Sequence, residues 1–127
     1  MRNLVIIAAA LLSLTLPSSV AAQDFDRGVS AYNDGDYPTA LREFRLAAEQ
    51  GNALAQYNLG IMYGNGQGLP QNYQLAYMWF SRAAAKGVER AASARDKAAG
   101  NMTPEQIGRA QQLTAECFNR NYQGCAK

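Results

Sequence analysis

The sequence predicts an all-α protein: an α-solenoid of about three antiparallel helix pairs behind a leader of 22 residues. Three observations predict it. A block of sequence recurs at a fixed offset. Each copy carries apolar residues at three- and four-residue steps, one face of a helix. The breaks between them hold glycine and good helix-capping residues. A shift of 36 pairs Tyr37 with Tyr73, Ala40 with Ala76, and Phe44 with Phe80. The same shift pairs Ala47 and Ala48 with Ala83 and Ala84, Gly51 with Gly87, and Ala55 with Ala91. Upstream the shift is 31, pairing Tyr32 with Tyr63 and Gly35 with Gly66. The difference is a loop, Gln67-Gly68-Leu69-Pro70-Gln71, inserted inside the second unit, where loops tolerate what helices do not.

The leader comes first. Met1, Arg2 and Asn3 form a short positive start, and residues 4–16 are apolar except for Ser13 and Thr15. Pro17, Ser18 and Ser19 end that run, and Val20-Ala21-Ala22 supplies the small residues a signal peptidase reads. The expected cut lies before Gln23, or one residue earlier. The other reading is an uncleaved anchor helix, but so short an apolar stretch is a poor match to a hydrocarbon layer of roughly 30 Å. No cysteine follows it, which disfavours a lipid anchor.

The mature part, residues 23–127, has the size of one domain. Its units are expected at about 23–51, 52–87 and 88–127. In the first, helices are expected over residues 24–34 and 38–50, closed by Gly51. In the second, a helix over residues 53–63 carries Leu54, Tyr57, Leu59, Ile61 and Met62, and is broken by Gly64, Asn65, Gly66 and Gly68. The next starts at Asn72, a good N-cap, and ends at Gly87, which suits a left-handed C-terminal cap. Gly60, Ala76 and Ala83 are small where paired helices approach closely; Leu59, Tyr63, Tyr73 and Phe80 are expected to fill the space between. The third unit is degenerate, an Ala-rich helix over residues 89–99 and one from Thr103-Pro104-Glu105-Gln106 to about Asn119. Thr at the cap, Pro at the first position and Gln at the third make a capping box. A polar terminal unit suits the end of a stack, whose outer face meets water.

Composition narrows the chemistry. Without Arg2 the protein has 11 basic and 10 acidic residues, no footprint for nucleic acid. It has no histidine, which removes the commonest general base and metal ligand together. Asp34 and Asp36 flank Gly35 in a turn, where carboxylates stay solvated and suit capping better than acid catalysis. No Ser stands in an S-x-x-K arrangement. No cofactor, metal or catalytic residue is expected. Cys117 and Cys125, an even pair in an exported protein, read as a disulfide, with free thiols as the alternative.

Residues 55–63 (Ala-Gln-Tyr-Asn-Leu-Gly-Ile-Met-Tyr), then Gly66-Gln67-Gly68-Leu69-Pro70-Gln71-Asn72-Tyr73, Ala76, Trp79-Phe80, Ala83-Ala84 and Gly87, resemble one full Sel1-like repeat. The first unit, with Gly28, Gly35, Ala40, Phe44 and Ala47, is similar to a plain TPR unit, and Arg95 to Ile107 resembles a closing unit of Sel1-like arrays. The resemblance implies a right-handed solenoid and a role in scaffolding protein complexes. Cys117 and Cys125 have seven residues between them, as do Ala47 and Ala55, and Ala83 and Ala91. A handover turn that brings two Ala side chains together also brings two sulfurs within reach. The spacing resembles the C-x7-C pairs of cysteine-rich secreted relatives, from which this sequence departs by having Ala at the two earlier positions.

In such stacks the first helices line the binding surface. The register carried over from the resemblance places Leu54, Tyr57, Asn58, Ile61 and Asn65 there in unit two. It places Phe25, Val29, Tyr32 and Asn33 there in unit one, and Arg90, Ser93, Ala94 and Lys97 in unit three. An aromatic-to-basic groove of this kind suits an extended peptide with an apolar anchor and an acidic group; the core-packing and solvated-face readings of the same residues stand beside it. The expected function is an exported, non-enzymatic adaptor, periplasmic or secreted, that binds a protein or peptide and no nucleic acid, without stable membrane insertion. The alternatives are an envelope hydrolase acting on peptidoglycan or lactams, and a self-assembling repeat protein; the oligomeric state stays open.

Overall fold

The computed structural model describes residues 18–121 and 123–125. The described residues form helices and turns: α1 (Ser18–Asn33), α2 (Tyr37–Glu49), α3 (Ala53–Asn65), α4 (Tyr73–Ala85), α5 (Glu89–Ala99) and α6 (Pro104–Asn119). Each of α1 to α4 packs on the next, and α4 also receives α5 and α6. This is a TPR-like helical solenoid. The signal-peptide reading falls mostly on residues 1–17, outside the described residues. Residues 18–22 continue α1 on its N-terminal side, so that helix is longer than expected.

The helix ends follow from local chemistry. Asn52 and Asn72 accept from the backbone N–H of Ala55 (2.9 Å) and Leu75 (3.0 Å). Thr103 and Gln106 close the capping box with bonds of 3.2 and 2.9 Å. Asp36 caps α2 through Thr39, whose side chain and backbone N–H hold the Asp36 carboxyl below its usual pKa, Arg42 adding a smaller pull. A lowered folded-state pKa means this cap is complete above the ordinary carboxylate range and is lost as pH falls through the folded value. Gly51 and Gly87 sit at φ +87° and +94°. Beside them Asn52 N–H donates to Ala47 and Val88 N–H to Ala83, the six-to-one bond of a Schellman turn. Asn52 thus closes one helix and opens the next, so a unit hands over within one turn.

Packing between the paired helices rests on glycine. A Cβ on Gly28 would lie 2.6 Å from the Phe44 ring, and one on Gly60 would lie 2.5 Å from the Phe80 ring. Phe25 leans on Phe44 (centroids 5.9 Å apart) as Tyr57 leans on Phe80 (5.6 Å). These equivalences correct the upstream register. The first helices match at a shift of 32, Phe25 with Tyr57 and Gly28 with Gly60. The shift of 31 holds only for the turn glycines, Gly35 and Gly66, which both have positive φ. Tyr32 is therefore no counterpart of Tyr63. Tyr63 is buried and accepts from Arg45, whereas Tyr32 stacks on Tyr37 and bonds Gln67. The expected fillers Leu59, Tyr63 and Phe80 are buried, but Tyr73 is only half-buried.

The inserted loop and the third unit complete the stack. Gln67 meets the hydroxyl of Tyr32 (2.9 Å) and more weakly that of Tyr37 (3.4 Å), fastening the loop of unit two to unit one. In unit three, α6 lies along α4, and α5 and α6 approach each other less closely than earlier pairs do. Cys117 and Cys125 are bonded, their Cα atoms 5.5 Å apart, and hold the tail beside Leu75 and Met78 of α4.

Adding one methyl group should have opposite effects at two of the glycines. Gly60→Ala should destabilise by about 1–3 kcal/mol, because overpacking against Phe80 outweighs the gain in helix propensity. Gly108→Ala, in α6 with nothing within 4 Å of the added Cβ, should stabilise by roughly 0.5–1 kcal/mol. Denaturant midpoints of the two variants shifting in the same direction would refute this account. Reducing the Cys117–Cys125 bridge should cost about 2 kcal/mol, a small value because the closed loop is short. Thermal melts with and without reductant measure it, and a Cys117→Ser/Cys125→Ser variant should melt alike in both.

Candidate functional site

A cleft of about 310 Å³ opens between α3 and α5. Ile61, Gly64 and Asn65 come from α3, Ala94, Lys97 and Ala98 from α5, and Phe80 and Tyr73 from α4. Gln71 and Asn101 complete its rim from the turns that follow α3 and α5. The apolar part follows from the repeat itself. Ile61 stands one residue beyond Gly60, where the helices close onto Phe80, and Ala94 and Ala98 share one face of α5 at a four-residue step.

The structure sorts the groove residues expected from the sequence. Ile61, Asn65 and Lys97 meet in this one cleft, as does Ala94. Tyr57 and Arg90 stand together beside it: the Arg90 guanidinium lies 4.7 Å over the Tyr57 ring, which leans on Phe80. Such a contact is worth about 0.5–1 kcal/mol at an exposed site, so Arg90 is partly engaged within the fold. Tyr32 is not in the cleft. Its ring packs on Tyr37 and Phe44 and its hydroxyl bonds Gln67, which makes it part of the unit-one packing. Asn33 and Asn58 do not line the cleft either.

Sequence reasoning missed Gly64, Gln71, Tyr73, Phe80, Ala98 and Asn101 as lining residues. Asn101 had a signal, since a shift of 36 from Asn65 lands on it. Gln71 had none, because it belongs to the insertion and has no counterpart in the other units. Its carboxamide donates to the Gly64 carbonyl (2.7 Å) and to the Tyr73 hydroxyl (3.0 Å), which sets Tyr73 at the rim. Asn101 donates to the Lys97 carbonyl (3.0 Å), closing the end of α5.

Gln71, Tyr73 and Asn101 also line a second, more polar cleft of about 280 Å³ with Asn72, Gln74, Met102 and Gln106. Asn72 and Gln106 spend their amides there on capping α4 and α6. The two clefts thus share Gln71, Tyr73 and Asn101, the first more apolar and the second rich in carboxamides. Among the described residues, Lys97 is the one charged residue lining either. The arrangement can seat an apolar side chain and pair with a polar backbone running past it. Among the described residues, the lining of the two clefts holds no Ser, Cys, Asp or Glu.

Comparison with known proteins agrees with the helical geometry. The chain matches the Sel1 repeat family over residues 28–52 and 53–88. It is 37% identical over 65 residues to an exopolysaccharide production negative regulator of Rhizobium meliloti (strain 1021), covering 51% of this chain and 24% of that one. It is 35% identical over 65 residues to the protein of the same name from Rhizobium leguminosarum bv. viciae, with the same two shares, 51% and 24%. The chain therefore spans about a quarter of the length of these curated relatives. No solved structure matches it. With a repeat over α1–α2, another over α3–α4, and helices stacked as described, the chain is a Sel1-like repeat protein.

Proposed function

We propose that this protein is an exported, non-enzymatic adaptor that holds a protein or peptide partner in the cleft between α3 and α5. The observation that carries the reading is the convergence of Ile61, Asn65, Ala94 and Lys97, from two separate repeats, on one open cleft. Repeat stacks bind through surfaces made in this way, each unit adding a strip to a shared face. The relatives from Rhizobium are named as regulators, a role that an adaptor without chemistry of its own can fill. Three of the side chains that catalysis could have used are engaged in the fold. Cys117 and Cys125 are bonded to each other, and Asp36 caps α2.

Export to the periplasm or beyond is supported by the leader pattern and by the disulfide, which persists in an oxidising compartment. Among the described residues no helix is long and apolar enough to cross a membrane. The expected cut before Gln23 would also leave the fold's first anchor in place. Asp24 is 4% exposed, pairs with Arg27, and accepts from Gln50 (3.2 Å), while Arg27 reaches Glu43 of α2. Self-assembly by end-to-end stacking is less favoured. Both terminal helices are rich in exposed polar residues, Gln23, Asp26, Arg27 and Ser30 on α1 and Glu105, Arg109, Gln112 and Glu116 on α6.

Filling the cleft tests the adaptor reading. Ala94→Trp should abolish retention of an envelope partner captured and cross-linked by the parent, while Gln111→Ala, at an exposed position of α6, keeps it. Unchanged capture by Ala94→Trp, with its helical circular dichroism intact, would remove the cleft from consideration. Light scattering should show a monomer at all concentrations tested; mass rising with concentration would revive self-assembly.

A further inference from the structure

A cut between Ala22 and Gln23 leaves a glutamine as the first residue of the mature chain. Its new α-amino group and its own side-chain carboxamide carbon are then spaced to close a five-membered ring. Gln23 is exposed, and its side chain makes no hydrogen bond among the described residues. Nothing in the fold therefore holds that carboxamide away from the amine. In α1 the Gln23 N–H lies four residues after Ser19, whose carbonyl a helix assigns to it. The cut removes that acceptor. The fold's own anchor begins one residue later. Asp24 is buried, and both its oxygens are taken, Oδ1 by Arg27 and Oδ2 by Gln50 (3.2 Å). Glu43, also buried, is engaged by Arg27 and Arg42. An ammonium at residue 23 thus finds no unoccupied buried carboxylate among the described residues. Asp26 is exposed, where an ion pair adds little. The ammonium would also stand at the positive end of the α1 dipole, where a positive charge is unfavourable.

Resting on the export reading and its cut before Gln23, we propose that Gln23 is a modification site, where the mature N-terminus closes to pyroglutamate. The lone pair of the α-amino nitrogen attacks the side-chain Cδ and forms a C–N bond. The bond from Cδ to Nε2 breaks, and ammonia leaves with the proton that the amine gives up. No oxidant, reductant or other reactant is consumed. A titrating ammonium becomes a neutral lactam, so the positive charge is lost from the start of α1. The chain then offers no free amine to an aminopeptidase. The ring uses atoms of Gln23 alone, so Asp24, Arg27 and Gln50 keep their bonds to one another.

Mass spectrometry tests this on the full chain, expressed with its leader, recovered oxidised from the export compartment and held at neutral pH for days. The intact mass should fall one ammonia below that of residues 23–127 carrying the disulfide. The first tryptic peptide, residues 23–27, should carry the loss and resist labelling by an amine reagent. Gln23→Asn keeps a carboxamide but could close only a strained four-membered ring. That variant should be cut at the same place, keep its full mass and label at its amine, with its helical circular dichroism unchanged. A chain that begins at Gln23 and still holds its ammonia and free amine overturns the proposal while the export reading stands. A chain left uncut, or one beginning at another residue, overturns the expected cut and the proposal together. An equal loss of ammonia from Gln23→Asn traces it to a different side chain and overturns the proposal as well.

Discussion

In each of the first two units a phenylalanine ring on the second helix lies on the bare backbone of a glycine on the first. Phe44 meets Gly28 and Phe80 meets Gly60, at distances that leave no room for a Cβ. Tight interiors tolerate neither a void nor an extra methyl group at such a point. The contact therefore fixes how closely each pair approaches, and the surrounding alanines keep that spacing along the helices. Ala40, Ala47, Ala76 and Ala83 are fully buried and add no bulk. Phe80 also reaches through to the cleft between α3 and α5. The residue that sets the helix spacing in unit two is thus the floor of the candidate site.

The stack is not uniform along its length. Units one and two are fastened by the short Asn52 turn, by Gln67 reaching back to Tyr32 and Tyr37, and by bonds from Arg45 to Tyr63 and from Lys86 to the Gly51 carbonyl. Unit three replaces aromatic packing with other devices. The Arg82 guanidinium lies 4.5 Å over the ring of Phe118, which is 59% exposed, and the disulfide ties the tail to α6 one residue away. A last helix has no following repeat to bury it, so a covalent tie and a polar outer side take the place of a further core layer.

The cleft depends on features that obey different rules. Its apolar seat arises from the repeat and would recur in any copy of the unit. Its rim arises from exceptions, namely the insertion that supplies Gln71, the turn that supplies Asn101, and the lysine that the degenerate third unit carries. The rim of the cleft therefore belongs to the departures from the repeat, while its apolar packing belongs to the repeat. The same division explains why Tyr57 and Arg90 lie beside the cleft and not within it. Their mutual stacking engages both side chains within the fold.

The helices, their caps and the disulfide were legible in the sequence alone, because each rests on residues close along the backbone. Asn72 at an N-cap, Gly87 at a C-cap and the Thr103–Gln106 box act over three or four positions. The Ala47–Ala55 and Ala83–Ala91 spacing marked the turn geometry that Cys117 and Cys125 share. The lining of the cleft between α3 and α5 was legible in part, since Ile61 and Asn65 of α3 and Lys97 of α5 follow from helical period and repeat register. Only the tertiary structure decided the rest. It moved the upstream register by one residue, because ring-on-glycine contacts across a helix pair outrank a match of turn residues. It withdrew Tyr32 from the groove, because its hydroxyl is held by Gln67, 35 positions away. It also brought Gln71, Tyr73 and Asn101 to the rim, because a loop without a repeat counterpart is placed by what it folds against.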